Sequence, residues 1–187
     1  MFIDYVTLML INMAAGFFVL AGYLIGEEEK PVPINREQSW APVFALVGVI
    51  ALITGFRMTF TWPLPGSYNI AFGELSVLFG GLMLAGAWSL AKELDLKPVS
   101  LYGFFAGLVS IVVGVQFLRL GLSQTPLLTG TGLISAGIAG LGAYPTVKYD
   151  RRSFRVAGVV ILILSGLIWA YIGYSAYWHH IESFIKR

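Results

Sequence analysis

The 187-residue sequence contains no cysteine. This absence excludes disulfides, thiolate metal ligands, cysteine nucleophiles and cysteine-ligated iron–sulfur clusters. Charge is also scarce: charged residues make up 12% of the chain, against about 25% in an ordinary soluble domain. Hydrophobic residues make up 57% and the mean hydropathy is +0.79. A chain with so little polar surface is expected to fold in lipid, and we predict an integral membrane protein.

Signatures of catalysis and of nucleotide binding are missing as well. The sequence has no Walker loop and no GxSxG, HExxH, DxDG or CxxC pattern, so no enzyme class has motif support and no catalytic residue is named. The sequence requires no cofactor. The net charge is only +2, and the basic residues are scattered among short loops, so nucleic acid is not an expected partner.

The apolar runs predict the fold. A bilayer core of about 30 Å needs about 20 apolar residues in a helix. Six continuous runs reach that length, without the in–out alternation of barrel strands. We predict an all-α membrane helical bundle of six transmembrane helices, forming a single domain over residues 1–187. The predicted spans are 2–25, 40–61, 69–90, 99–120, 127–147 and 154–178.

Positive charge is distributed unequally between the two sides. Eight basic residues fall on the side of the odd-numbered loops and four on the other side. The eight are Lys30, Arg36, Lys92, Lys97, Lys148, Arg151, Arg152 and Arg155; the four are Arg57, Arg119, Lys186 and Arg187. The positive-inside rule then places the odd-numbered loops in the cytoplasm and both termini outside the plasma membrane.

Two pairs of spans resemble each other. FALVGVIALITGFR (44–57) is similar to FFAGLVSIVVGVQFLR (104–119), and LAGAW (84–88) is similar to GLGAY (140–144). This pattern indicates a possible parallel repeat of helices 2–3 and 4–5, with six extra residues in the first copy at PLPGSYNIAF. The shared composition of membrane helices is the alternative explanation.

Arg57 and Glu74 stand on the two arms of the first of these hairpins. At 1.5 Å per residue, both lie about 6–8 Å inside the ends of their helices. Charged groups in a span are expected to pair or to snorkel toward the interface. Two interpretations stay open: the two residues are a structural clamp, or Glu74 is a proton- or cation-binding group tuned by Arg57.

The turn between these two residues is stiff. Pro63 and Pro65 make helix continuation costly, and Gly66 permits a positive φ. Ser67 or Asn69 is expected to cap the third helix. Trp62 and Tyr68 are expected in the aromatic belt at the membrane surface.

Gln116 and Arg119 share one face of the fourth helix and reach the same end of the bundle. With the first hairpin they predict an outward-facing polar pocket that handles protons or a small solute, in a carrier or a carrier subunit. The candidate residues are Arg57, Tyr68, Asn69, Glu74, Gln116 and Arg119.

A second hypothesis makes the protein an accessory subunit of a redox or quinol-linked membrane complex. His179, His180 and Tyr174 near the end of the sixth span would then contact a haem or a quinone. The two histidines are adjacent and the chain has no third, which excludes a bis-histidine haem within one subunit and a three-histidine metal site. A structural scaffold is a further alternative. Glycine-rich spans favour work within a homo-oligomer or larger complex.

The segment WPLPGSYNIAFGE (62–74), followed by LSVLFGG, resembles the DUF981 family of uncharacterised multi-pass membrane proteins of archaea and bacteria. The resemblance implies a prokaryotic membrane location and names no substrate. It attaches weight to the residues of the motif itself, which are Trp62, Pro63, Pro65, Gly66, Asn69 and Glu74.

Overall fold

The computed structural model describes residues 5–26 and 36–185. Six helices in this part are long and apolar enough to cross a membrane, and no strand occurs there. The all-α prediction is confirmed, and the chain is a polytopic membrane protein. The helices are α1 (Val6–Gly26), α2 (Arg36–Thr61), α3 (Leu75–Ala91), α4 (Lys97–Leu120), α5 (Pro126–Tyr149) and α6 (Arg152–Ile185). A π-helical segment, Asn69–Glu74, runs directly into α3.

Several helices are longer than predicted: α2 and α4 begin four and two residues earlier, at Arg36 and Lys97, and α5 and α6 also end later. α5 continues through Pro145 to Tyr149, and its end is set by Asp150, whose φ is 46°. α6 continues seven residues beyond its predicted end at position 178, because no proline or glycine interrupts it there. His179 and His180 therefore lie inside α6. The first residues of the first predicted span, and the basic residues Lys30, Lys186 and Arg187, lie outside the described ranges.

The helices pack as three antiparallel pairs: α1 with α6, α2 with α3, and α4 with α5. α6 also packs on α5, where Nε1 of Trp169 donates a hydrogen bond to the carbonyl oxygen of Gly132 at 3.3 Å. α1 is joined to α2 by Asn12, whose Nδ2 donates to the carbonyl oxygen of Val47 at 2.9 Å. α3 and α4 pack much less closely than the members of any pair.

Glycines let α2 and α3 approach until their backbones touch. A Cβ atom at Gly48 would lie 2.9 Å from the amide nitrogen of Leu84, and one at Gly80 would lie 2.9 Å from the carbonyl oxygen of Gly48. A Cβ atom at Gly55 would lie 3.0 Å from the carbonyl oxygen of Gly73. Small residues permit this close approach of helices in lipid, and a larger side chain would force the pair apart.

α4 and α5 meet in the same way. A Cβ atom at Gly107 would lie 2.6 Å from the carbonyl oxygen of Gly137, and one at Gly114 would lie 2.9 Å from that of Gly130. In each hairpin the two contacts are seven residues apart along both helices. The two hairpins therefore have matching backbone contacts, as a repeated hairpin would have.

The contacts correct the length difference between the two hairpins. Gly55 and Gly73 are eighteen residues apart, and Gly114 and Gly130 are sixteen apart. The first hairpin is thus two residues longer, and the expected six was wrong. The error arose because the sequence match aligned the arginines and the aromatic residues, whereas the glycine contacts fix the register. In the register set by these glycine contacts, Arg57 of the first hairpin corresponds to Gln116 of the second hairpin, and not to Arg119.

Candidate functional site

We name each end of the bundle after one residue that lies there. The Asn69 end carries the loops at residues 62–68 and 121–125, and the Asp95 end carries those at residues 92–96 and 150–151.

At the Asn69 end, the loop between α2 and the π-helical segment folds around the fully buried side chain of Asn69. Its Oδ1 accepts a hydrogen bond from the amide of Leu64 at 3.0 Å. Its Nδ2 donates to the carbonyl oxygens of Leu64 and of Gly66, the latter at 3.2 Å. No side-chain hydrogen bond caps the helix. The capping role predicted for Asn69 or Ser67 is wrong, because the Asn69 amide is occupied by the preceding loop.

Tyr68 packs into an aromatic cluster beneath this loop. Its ring stacks on Phe72 with centroids 6.4 Å apart and meets Phe117 edge-on at 6.2 Å. Phe72 in turn lies edge-on to Trp169 at 6.4 Å. Phe117 and Trp169 are almost completely buried. These four rings close the Asn69 end of the bundle, and Tyr68 belongs to this core, whereas Trp62 is exposed.

Arg57 and Glu74 are both exposed, and no ion pair joins these two described residues. Helix rotation explains this. Gly55 and Gly73 face each other across the hairpin. At about 100° per residue in an α-helix, Arg57 points about 200° away from that contact, and Glu74 lies one residue beyond it in the π-helical segment. The ion-pair form of the predicted clamp is therefore not present, and the two side chains are placed to snorkel independently.

Arg57 instead lies near the start of α1. Its positive charge lowers the pKa of Tyr5, although burial of the Tyr5 hydroxyl has the larger effect and the net pKa of Tyr5 is raised. The hydroxyl oxygen of Tyr5 is buried and has no hydrogen-bond partner among the described residues. The charge of Arg57 thus acts on Tyr5, the residue that precedes α1.

Gln116 and Arg119 are exposed on α4. Of the six residues predicted to form an outward-facing polar pocket, Tyr68 and Asn69 therefore point into the core. The other four, Arg57, Glu74, Gln116 and Arg119, lie on the surface. The described contacts include none that joins these four side chains to one another.

His179, His180 and Tyr174 lie on the last part of α6. Nδ1 of His179 is 2.7 Å from the carbonyl oxygen of Ser175, and Nδ1 of His180 is 3.4 Å from Oγ1 of Thr7. Tyr174 is 65% exposed. Within residues 5–26 and 36–185, no three side chains of the metal-binding types cluster closely enough to hold an ion.

An apolar cavity of about 250 Å³, which we call the central cavity, lies among α1, α3, α4 and α5 and is partly open to the surface. Its lining extends from Ala71 in the π-helical segment to Leu90 in α3, and from Leu96, just before α4, to Ser110 in α4. At 1.5 Å per residue these stretches are about 20–28 Å long. The central cavity therefore begins at the aromatic cluster and reaches the Asp95 end. None of the nine candidate residues predicted from the sequence lines it.

The polar groups of the central cavity are mostly satisfied within the protein. Three of its hydroxyl groups donate to backbone carbonyl oxygens: Ser100 to Lys97 at 2.8 Å, Ser110 to Leu133 at 2.7 Å, and Thr146 to Gly142 at 2.7 Å. The remaining lining is dominated by Leu, Phe, Ala, Met and Gly side chains. Apolar cavities of this kind stay dry and accept apolar guests.

A second space, the α3–α4 groove, lies on the outer surface of the bundle. Residues that line only this groove are Leu52, Phe56, Val77, Gly81, Ala85 and Tyr102. Leu78, Leu82 and Val99 line both the groove and the central cavity. These three side chains, which we call the partition, are shared by the groove and the central cavity.

A family model described as "Protein of unknown function (DUF981)" matches residues 1–183. The chain belongs to the DUF981 family. The resemblance inferred from the segment at residues 62–74 is confirmed and extends over almost the entire chain. The DUF981 chain matches no curated protein and no solved structure in the other two comparisons. Its function must therefore be argued from its own geometry.

The central cavity was not predicted from the sequence of this DUF981 chain. α5 carries Gly137, which touches α4, and Gly142, whose Cβ atom would meet no atom within 4 Å. Both are glycines in the same apolar helix, yet one makes a contact and the other lines the cavity. A detectable signal was the excess of small residues in α4 and α5, but composition cannot separate these two uses.

Proposed function

We propose that this protein binds the hydrocarbon chain of a lipid-like molecule within the bilayer, as a carrier or a carrier subunit. The observation that supports the proposal is the central cavity, which is long and lined mainly by apolar side chains. Hydroxyl groups in its lining, such as those of Ser100 and Ser110, already donate hydrogen bonds to backbone carbonyl oxygens. Ligand sites are typically concave and mostly apolar. A bound chain gains dispersion contacts that the lining of an empty cavity lacks.

The proposal differs in substrate from proton or small-solute transport through an outward-facing polar pocket. Polar groups that serve ions inside a membrane face the bundle interior or a water-filled cavity. Here Arg57, Glu74, Gln116 and Arg119 face outward, and the central cavity is apolar. The polar pocket stays a prediction with less support from the geometry.

A quinol-linked accessory subunit is the second candidate, because the central cavity also suits an isoprenoid tail. His179, His180 and Tyr174 do not line the cavity, so a redox group held by them would be separate from a tail bound there. A visible spectrum of the purified protein tests this candidate. A Soret band that is lost in His179→Ala would favour the redox subunit and contradict the carrier proposal.

Co-purifying molecules test the proposed function directly. Native mass spectrometry of the wild-type protein released from detergent is expected to show a bound lipid-like adduct. Gly142→Phe is expected to remove the adduct, because its side chain enters the central cavity and a Cβ atom at this position meets nothing within 4 Å. Ala15→Phe is the control, since Ala15 is exposed on α1 and lines neither space. An adduct kept equally by all three proteins would overturn the proposal.

We also infer that the protein lies in the plasma membrane with both termini outside, on the basis of its loop charges. Ser67→Cys at the Asn69 end should then react with an impermeant thiol reagent added to intact cells. Reaction only after the cells are opened would reverse the orientation. The proposed homo-oligomer is tested by the native mass spectra, which report the number of chains per particle.

A further inference from the structure

The α3–α4 groove and Glu74 together point to the kind of molecule that fills the cavity. We propose that an amphiphile enters from the bilayer between α3 and α4, and that its head group, which carries hydrogen-bond donors, binds to Glu74. This inference rests on the proposed function and deepens it by naming the entry route and the class of head group.

The route follows from the packing of α3 against α4. These helices make fewer contacts than the members of each antiparallel pair. The groove on their outer surface adjoins the central cavity at Leu78, Leu82 and Val99, which line both spaces. Side chains can change rotamer without breaking backbone hydrogen bonds, so this partition can open while the helices stay intact. A chain that lies in the groove is thereby next to the cavity and already in contact with lipid.

The class of head group is inferred from Glu74, the last residue of the π-helical segment that runs into α3. Gly81, which lines the groove, is seven residues after Glu74, or about two helical turns and 10 Å along the axis. Residues at this spacing lie on the same face of a helix. Glu74 is exposed there and has no hydrogen-bond or ion partner among the described residues.

The carboxylate of Glu74 determines which kind of head group can bind to it. A carboxylate only accepts hydrogen bonds, and a charge in a lipid-facing position is costly unless it is paired. Arg57 does not supply the pair, because no ion pair joins it to Glu74 and it points about 200° away from the contact of Gly55 with Gly73. An ammonium head group from the bilayer gives Glu74 a charge-assisted hydrogen bond, the strongest type that it can accept. The chain attached to that head group then lies along Gly81 and Ala85 toward the partition.

The experiment compares a long-chain primary amine, alcohol and carboxylic acid of equal chain length. Each competes with a fluorescent alkyl probe on the full-length protein in nanodiscs of uncharged lipid. The wild type is expected to bind the amine at least about ten-fold more tightly than the acid. Glu74→Gln, which keeps the shape of the side chain, is expected to remove that preference while the alcohol binds as before. An unchanged preference in Glu74→Gln would overturn the head-group assignment.

The route is tested with the same three competitors. Gly81→Phe is expected to weaken all of them at least about ten-fold, because the ring fills the groove and a Cβ atom at Gly81 meets nothing within 4 Å. Ala15→Phe is the matched control and should bind as the wild type does. If Gly81→Phe changes the number of chains per particle and leaves binding unaltered, the groove is a subunit contact and the route is wrong.

Failure of this inference can be told apart from failure of the proposed function. If Gly142→Phe binds the alkyl probe as the wild type does, the central cavity is not the chain site and both proposals fail. If Gly142→Phe loses the probe while Glu74→Gln keeps the wild-type preference, only the inference about the head group fails.

Discussion

Replacing Asn69 with alanine tests how the Asn69 end of the bundle is held closed. The Asn69 side chain is fully buried and makes three hydrogen bonds with the backbone of Leu64 and Gly66. Alanine leaves the amide and the carbonyl of Leu64, a half-buried residue, without these partners. The carbonyl of the exposed Gly66 can turn to water.

The expected loss of stability follows from those groups. Each buried backbone group left unsatisfied costs about 1–3 kcal/mol. Because Leu64 is only half-buried, we expect a loss of about 2–4 kcal/mol in the free energy of unfolding of Asn69→Ala. At about 2–4 °C per kcal/mol for a chain of this size, the melting temperature falls by about 4–16 °C.

The assay is thermal unfolding of the purified variants, followed by size-exclusion chromatography with fluorescence detection. Ser67→Ala is the control, because it changes the same loop and the described hydrogen bonds include none made by the Ser67 hydroxyl. Asn69→Asp should be at least as unstable as Asn69→Ala, since a carboxylate cannot donate to the carbonyl oxygens of Leu64 and Gly66. If Asn69→Ala melts with Ser67→Ala, the buried amide does not hold the loop and the reasoning is refuted.

Two further predictions concern helix packing and the loop at the Asp95 end. Gly107→Ala should lower the stability by about 1–3 kcal/mol through overpacking, since its Cβ atom would lie 2.6 Å from a carbonyl oxygen of α5, whereas Gly142→Ala should be tolerated. The pKa of Asp95 is lowered, chiefly by the hydrogen bond from the Lys97 amide and also by the Lys97 charge. Lys97→Ala should therefore raise the pKa of Asp95 only part of the way, as measured by carboxyl NMR in micelles.

The controls for these two predictions are direct. Equal melting temperatures for Gly107→Ala and Gly142→Ala would contradict the backbone contact between α4 and α5. For Asp95 the lowered pKa means that its contribution to stability is present above the ordinary carboxyl value and is lost as the pH falls through the lowered one. A carboxyl titration of Asp95 at or above the ordinary value would contradict the hydrogen bond.

The six helices could be predicted because length and hydrophobicity are set by the bilayer, whatever the packing. The helix ends were harder. The predicted fifth span ends at residue 147, whereas α5 ends at Tyr149, because the helix stops only where Asp150 adopts a positive φ. The stretch from 179 to 185 is polar enough to fall outside a hydropathy window, but nothing in it breaks a helix.

The candidate site was harder to predict than the helix ends. Counting residues along a helix gives the depth of a side chain in the membrane, but not the direction in which the side chain points. The similar depths of Arg57 and Glu74 follow from counting residues along each helix. Their directions depend on which glycines face each other, and those contacts are tertiary. The hydrogen-bond partners of Asn69 could not be predicted, because they depend on the path of the loop. The central cavity arises from the loose packing of α3 on α4, for which sequence offers no local signal.

Photo-crosslinking tests most directly the claim that the interior binds a hydrocarbon chain. A lipid whose chain carries a diazirine is irradiated with the protein in nanodiscs, and the labelled residues are mapped by peptide mass spectrometry. A hydrocarbon chain in the interior should label cavity residues such as Met83, Ala106 and Ala139, and these labels should be lost in Gly142→Phe. Labels confined to outward-facing residues such as Phe105 and Leu164 would contradict this claim.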